Sequence, residues 1–211
     1  MRALFYKGLP YRGKPTRVFA WLGIPKGAGK HPAIVLVHGG GGSAYREWVE
    51  KWVHKGFVAI SIAVEGQTDQ REGKTWAGHA WSGPARDGIY ADTSQPLHDQ
   101  WMYHAVAATV LAHSLLRSMP EVDTRRVGLA GISWGGVITS TVMGIDPRFA
   151  FAIPIYGCGY LHEIGNHWGK ALHDNQVYRQ VWAPELRLAR ARMPALWLTW
   201  LRDPHFALDA Q

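Results

Sequence analysis

The feature that most constrains this chain is Gly131-Ile132-Ser133-Trp134-Gly135, set directly behind the short apolar run of residues 127–130. A serine framed in this way sits on a sharp strand-to-helix turn, where a β-carbon at either flanking glycine would collide with neighbouring elements. The run VGLA predicts a buried strand, and residues 136–143, small and β-branched, predict a helix packed closely beneath a sheet. The turn would then lift the Ser133 hydroxyl clear of the fold. A second stretch has the same logic. Residues 33–37 (AIVLV) form a continuous apolar run, as a parallel strand buried on both faces requires, and lead straight into His38-Gly39-Gly40-Gly41-Gly42.

The rest of the chain alternates strands and helices. Residues 17–24 predict a strand ended by Pro25, and residues 57–64, apolar but for Ser61, predict another. Between residues 33–37 and 57–64, Ser43 is the expected N-cap of a helix whose Tyr45, Trp48, Val49, Trp52 and Val53 share one face, with Gly56 as its stop. Residues 66–96 lack periodicity and are expected to be a long functional loop. A helix follows at residues 98–119, its buried stripe formed by Trp101, Ala105, Ala108, Ala112 and Leu115. Strands are predicted again at residues 149–156 and 195–201. This βαβ succession implies one α/β domain over residues 1–211, with a mostly parallel central sheet and helices on both faces.

The HGGG-type loop after an early strand, followed downstream by G-x-S-x-G, resembles the α/β-hydrolase superfamily. Within it the chain looks like the dienelactone hydrolase and acetyl xylan esterase-like branch, over nearly its whole length. The resemblance implies a serine esterase: Ser133 as catalytic nucleophile, with an oxyanion hole of backbone N–H groups from Gly40, with Gly41 as a further candidate, and from Trp134. It also implies an acid after a later strand. Asp203 fits, since it follows the run ALWLTWL, where a carboxylate can orient an imidazole. Residues 159–192, which carry His162, His167, Trp168, His173, Tyr178 and Trp182, correspond to a lid or insertion, or to a helical excursion whose aromatics cover the core. The expected substrate is a small-molecule carboxylic ester of a short acyl or acetyl group, and no cofactor is called for. Trp76, Trp81, Trp168 and Trp182 are candidates to stack on a sugar or aromatic alcohol.

Composition narrows the alternatives. The 211 residues are 47% hydrophobic and 18% charged, which is globular rather than disordered. No apolar run is long enough for a membrane span and no signal peptide is expected, so a soluble protein is the expectation; the compartment stays open, with the cytoplasm favoured. The net charge of +7 is scattered without a nucleic-acid module. The histidines lack metal spacing: His162 and His167 are five apart, with no H-E-x-x-H pattern. The lone cysteine, Cys158, is expected to be a buried structural thiol.

The chain departs from the family pattern at one point. The histidine that normally follows the acid by several tens of residues is absent, since the sequence ends at Gln211. A C-terminally truncated hydrolase lacking its final strand and helix, an internal or partner-chain histidine such as His205, and a weak catalyst are the three readings; truncation is preferred because residues 206–209 look like the start of another helix. Such a fragment would expose a sheet edge and could form a homodimer. A prolyl oligopeptidase-type peptidase and a non-catalytic binding protein on a hydrolase scaffold are the alternatives from other classes.

Overall fold

The computed structural model of the protein describes residues 1–157 and 159–210, the side chain of Asp209 apart, so that Cys158 lies outside the described residues. Its centre is a six-stranded sheet of order β1-β2-β4-β3-β7-β8, built from β1 (Arg2–Lys7), β2 (Arg17–Gly23), β3 (His31–Val37), β4 (Val58–Ile62), β7 (Val122–Ile132) and β8 (Phe151–Ile155). β3 pairs in parallel with β4 and β7, and β7 with β8, while β1 and β2 add an antiparallel edge.

The continuous apolar runs are explained by burial on both faces. Ala33, Val35 and Val37 of β3 join the core beneath α2 (Trp101–Arg117) and α3 (Trp134–Met143), whereas Ile34 and Leu36 point the other way, onto Val49 and the partly buried Trp48, Trp52 and Val53 of α1 (Arg46–His54). The period-2 alternation therefore sends one set of side chains to each helical layer. None of these helices is long and apolar enough to cross a membrane, nor is any other described helix.

Several local expectations are corrected. Ser43 does not cap α1; its Oγ donates to the carbonyl of Thr68 at 2.8 Å, and Tyr45 stands at the N-cap without a side-chain bond. Gly56 does end that helix, at φ +83°. Residues 66–96 contain a hairpin, β5 (Gln67–Glu72) and β6 (Thr75–Gly78), that the polar sequence hid. From the same stretch Asp92 Oδ2 accepts the first N–H of α2, that of Trp101, at 2.6 Å. Leu116 rather than Leu115 completes the fully buried stripe of α2. The expected strand over 195–201 is reduced to two isolated parallel bridges, Ala152↔Ala195 and Ile155↔Leu198. Its outer side has no neighbouring strand among the described residues, and Leu196, Leu198, Trp200 and Leu201 are exposed.

Residues 159–192 pack down rather than standing away. They comprise α4 (His167–Leu172), a single π-helical turn over Tyr178–Trp182, and α5 (Glu185–Leu188). Leu161, Trp168, Leu172, Tyr178 and Trp182 are all buried in the main core. The expected sugar platforms Trp168 and Trp182 are thereby ruled out, since neither ring has a free face for a ligand.

One polar cluster fixes the layer that carries α3. Buried His113 of α2 lies 2.9 Å from Asp146 Oδ2, and Arg148 grips the same carboxylate with Nε and Nη2, both at 2.7 Å. Burial pushes the Asp146 carboxyl up, but the hydrogen bonds from His113 and Arg148 outweigh it and hold it well below the usual carboxylate range. A folded-state pKa below the unfolded one means that this stabilisation is complete above about pH 4 and is lost as pH falls toward the folded value. Asp146→Asn is expected to cost about 3 kcal/mol in urea unfolding at pH 7, because it leaves Arg148 and His113 without their carboxylate. The cost should shrink progressively below pH 4.

Candidate active site

The site is assembled at the C-terminal ends of β3, β7 and β8. Ser133 follows β7 directly with φ 58° and ψ −119°, a strained conformation for a residue with a β-carbon. It is held by its own N–H, which donates to Ile155 O at 2.9 Å, and by its carbonyl, which accepts from Val137 N at 3.0 Å. The glycines around it are required by contact. A β-carbon on Gly135 would lie 2.2 Å from Val37 O, and one on Gly136 would lie 2.0 Å from Tyr156 O.

The glycine loop after β3 touches this elbow. A β-carbon on Gly39 would lie 3.2 Å from Ser133 Cβ, and one on Gly40 would lie 2.5 Å from Trp134 Cδ1. Gly41 is not free to serve the site, because its N–H faces both Glu65 carboxylate oxygens at 3.2 Å. The Gly40 N–H meets no hydrogen-bond acceptor among the described residues. Trp134 opens α3, so its N–H belongs to the first turn, where intrahelical acceptors are lacking. Its indole is 7% exposed, wedged between Tyr90, Trp101 and Trp168 at centroid distances of 5.3, 5.2 and 4.7 Å.

Ser133 and Asp203 line one cavity of about 290 Å³, together with Tyr156, Trp200, Arg202 and His205. Asp203 Oδ1 accepts the backbone N–H of His205 at 2.8 Å and that of Phe206 at 3.0 Å, so one oxygen closes a tight turn. His205 itself packs its ring edge-on to His167, 5.0 Å between centroids. The sequence reading missed Tyr156 and Trp200 as lining residues. Trp200 is 54% exposed, and its ring meets Tyr156 at 4.7 Å. It was hidden inside an apolar run that reads as a buried strand.

Also unforeseen is the polar shell behind the glycine loop. Arg86 Nε donates to Glu65 Oε1 at 2.9 Å, with the guanidinium 5.2 Å from the Trp134 ring. His38 is fully buried, and its ring engages Gly39 O, Val64 N and Gln67 Nε2. The available signal was positional: Glu65 and Gln67 are polar residues placed just after a run that is apolar but for Ser61.

A mostly parallel sheet with helices on both faces, a strained serine between strand and helix, and a glycine-rich loop against it define an α/β-hydrolase fold. The chain belongs to the acetyl xylan esterase (AXE1) family, whose family model matches residues 3–187. It is similar to acetyl esterase Axe7A of Xylanibacter ruminicola, 23% identical over 175 residues that make up 80% of this chain and 39% of that protein. Among solved structures, it superposes on acetyl xylan esterase 1 from Thermoanaerobacterium sp. JW/SL YS485 with TM-score 0.74 at 20% identity, covering 99% of this chain and 70% of that one. The acetyl xylan esterase from Paenibacillus sp. R4 gives TM-score 0.72 at 20% identity, covering 99% and 76%. The chain thus spans about two fifths of the esterase relative and about three quarters of these structures.

Proposed function

We propose that this chain forms the nucleophile-bearing core of a carboxylic ester hydrolase that transfers an acetyl or other short acyl group through Ser133. The observation that carries the reading is the strained Ser133, at the wall of a cavity shared with Asp203 and in contact with a loop whose Gly40 N–H is unused. Family membership, and the likeness to proteins named as acetyl esterases, support the acyl class.

In this mechanism Ser133 Oγ attacks the ester carbonyl as an imidazole takes its proton. The N–H groups of Gly40 and Trp134 hold the oxygen that becomes negative, and Asp203 orients the imidazolium. The alcohol leaves with the returned proton, and water then cleaves the acyl-serine. His38 does not suit the role of base. Both ring nitrogens of His38 are engaged inside the core, whereas His205 is exposed, lines the cavity with Ser133 and sets its ring edge-on to His167. The reading requires a histidine base at the cavity that Ser133 and Asp203 share. The exposed Trp200 beside Tyr156 supports a flat, hydroxyl-bearing alcohol such as a sugar, because an indole face stacks on such a ring.

A fluorophosphonate probe tests the assignment. Mass mapping should place the adduct on Ser133, and an unlabelled Ser133 under conditions that label a control esterase would end the reading. The oxyanion assignment makes its own prediction. Gly40→Val should lower the labelling rate on the order of a hundredfold, since its side chain meets the Trp134 ring and displaces the loop. Trp134→Phe should keep most of the rate, since its part is played by the backbone.

A further inference from the structure

His38 and Gln67 are interior groups to which the proposed mechanism gives no task, yet together they touch both ends of the glycine loop. The protonation of this cluster follows from backbone groups whose roles are not adjustable. Val64 N–H points at His38 Nε2 at 3.0 Å, so that nitrogen must be a bare acceptor. Gln67 Oε1 accepts from Glu65 N at 2.8 Å, and Gln67 Nε2 donates to Gly42 O at 2.7 Å, which fixes the amide orientation. The second hydrogen of that amide nitrogen is directed at the same His38 Nε2, 3.1 Å away. Two donors facing Nε2 leave the ring proton on Nδ1, where it donates to Gly39 O at 2.6 Å.

Gly39 O also accepts Gly42 N–H at 3.0 Å, so both of its lone pairs are occupied. The Gly39–Gly40 peptide is trans, as are all the described peptide bonds. In a trans peptide the N–H points opposite to the carbonyl. Anchoring Gly39 O toward His38 therefore aims Gly40 N–H the other way, and that is the N–H with no acceptor of its own.

We infer that His38, locked by Gln67 and Val64 as the neutral Nδ1–H tautomer, is a positioning residue that sets the Gly39–Gly40 peptide plane and so preorganises the Gly40 N–H for the oxyanion. The inference rests on the oxyanion assignment proposed above. Preorganisation matters because a donor already aimed at the developing charge needs no rearrangement during reaction. Burial also pushes the His38 imidazole down, in keeping with a ring that stays neutral.

The lock is tested first without any reaction. In residues 1–211, nitrogen NMR of His38 should show Nδ1 protonated and Nε2 bare, without titration between about pH 5 and 8, the range in which an ordinary histidine charges. An Nε2–H tautomer, or an imidazolium forming in that range, would overturn the inference whether or not Ser133 reacts. Replacement then separates positioning from packing. Asparagine places an amide N–H near the Nδ1 position, whereas glutamine places it near Nε2. His38→Gln should lower the rate constant for phosphonylation of Ser133 on the order of a hundredfold with little change in probe affinity, and His38→Asn should restore most of it. Gln67→Met, which keeps His38 in place, should give a smaller, several-fold loss and guards against a misfolded His38 variant. Wild-type labelling with Asn and Gln variants equally slow, or equally fast, would discard the positioning role and leave Ser133 as nucleophile. Absence of labelling in the wild type would discard the esterase reading, while the tautomer measurement still decides the lock.

Discussion

Ser133→Ala is expected to abolish the fluorophosphonate adduct and, wherever the base is supplied, to lower ester turnover on the order of a millionfold, the scale seen when the nucleophile of a serine triad is removed. The fold should survive this change. The Ser133 side chain makes no cap bond to α3, so its hydroxyl carries no helix stability. Both serine and alanine have a β-carbon, so the strain of φ 58° is the same in each. Ser133→Gly separates strain from chemistry: it should lose labelling just as fully, yet raise the melting temperature, because relieving a positive φ at a residue with a β-carbon is worth about 1 kcal/mol. Retained labelling in Ser133→Ala would mean that another nucleophile does the work. Destabilisation by glycine would mean that the elbow is not strained in the way its dihedrals state.

The legible part of this protein is the part whose pattern is short-range. Residues 33–37 and 127–130 read as buried parallel strands because burial on both faces demands an unbroken apolar run, and the structure puts both at the centre of the sheet. The elbow was legible because its glycines answer contacts made within a few residues, as Gly131 does with Gly135 O, 2.1 Å from where its β-carbon would stand. What could not be read is what depends on pairing across the chain. β1, with only Tyr6 buried, has no core pattern of its own and is defined by its antiparallel register with β2. The polar hairpin of β5 and β6 hides for the same reason. The run at 195–201 reads as a strand, yet with no outer neighbour among the described residues it keeps only two bridges and leaves four apolar side chains exposed. The partners of His38 illustrate the limit most clearly. Gln67 is an unremarkable polar residue in sequence, and its meaning comes from facing the ring, the loop and Glu65 N simultaneously.

Gly136→Ala should be among the most damaging small substitutions in the molecule. The added β-carbon would lie 2.0 Å from Tyr156 O, 2.9 Å from Ile155 O and 3.1 Å from Gly157 O. All three are main-chain atoms, so no side chain can swing aside. Relief requires α3 to lift from the end of β8, but α3 is buried along its whole length and its Val137, Ile138 and Val142 are fully enclosed. Lifting it opens a cavity beneath every one of those side chains, whereas leaving it in place keeps an impossible contact. Either way the cost should reach about 4 kcal/mol or more, the range reserved for core and backbone conflicts. Chemical denaturation with circular dichroism should show a large drop in midpoint, or a protein that does not fold. Gly165→Ala is the matched control: nothing lies within 4 Å of its added carbon, so its midpoint should stay close to that of the parent protein. Comparable midpoints for the two variants would show that α3 rides looser on the sheet than its contacts state. The Ser133 turn, which depends on that helix for its strained dihedrals, would then have lost the support that the catalytic reading gives it.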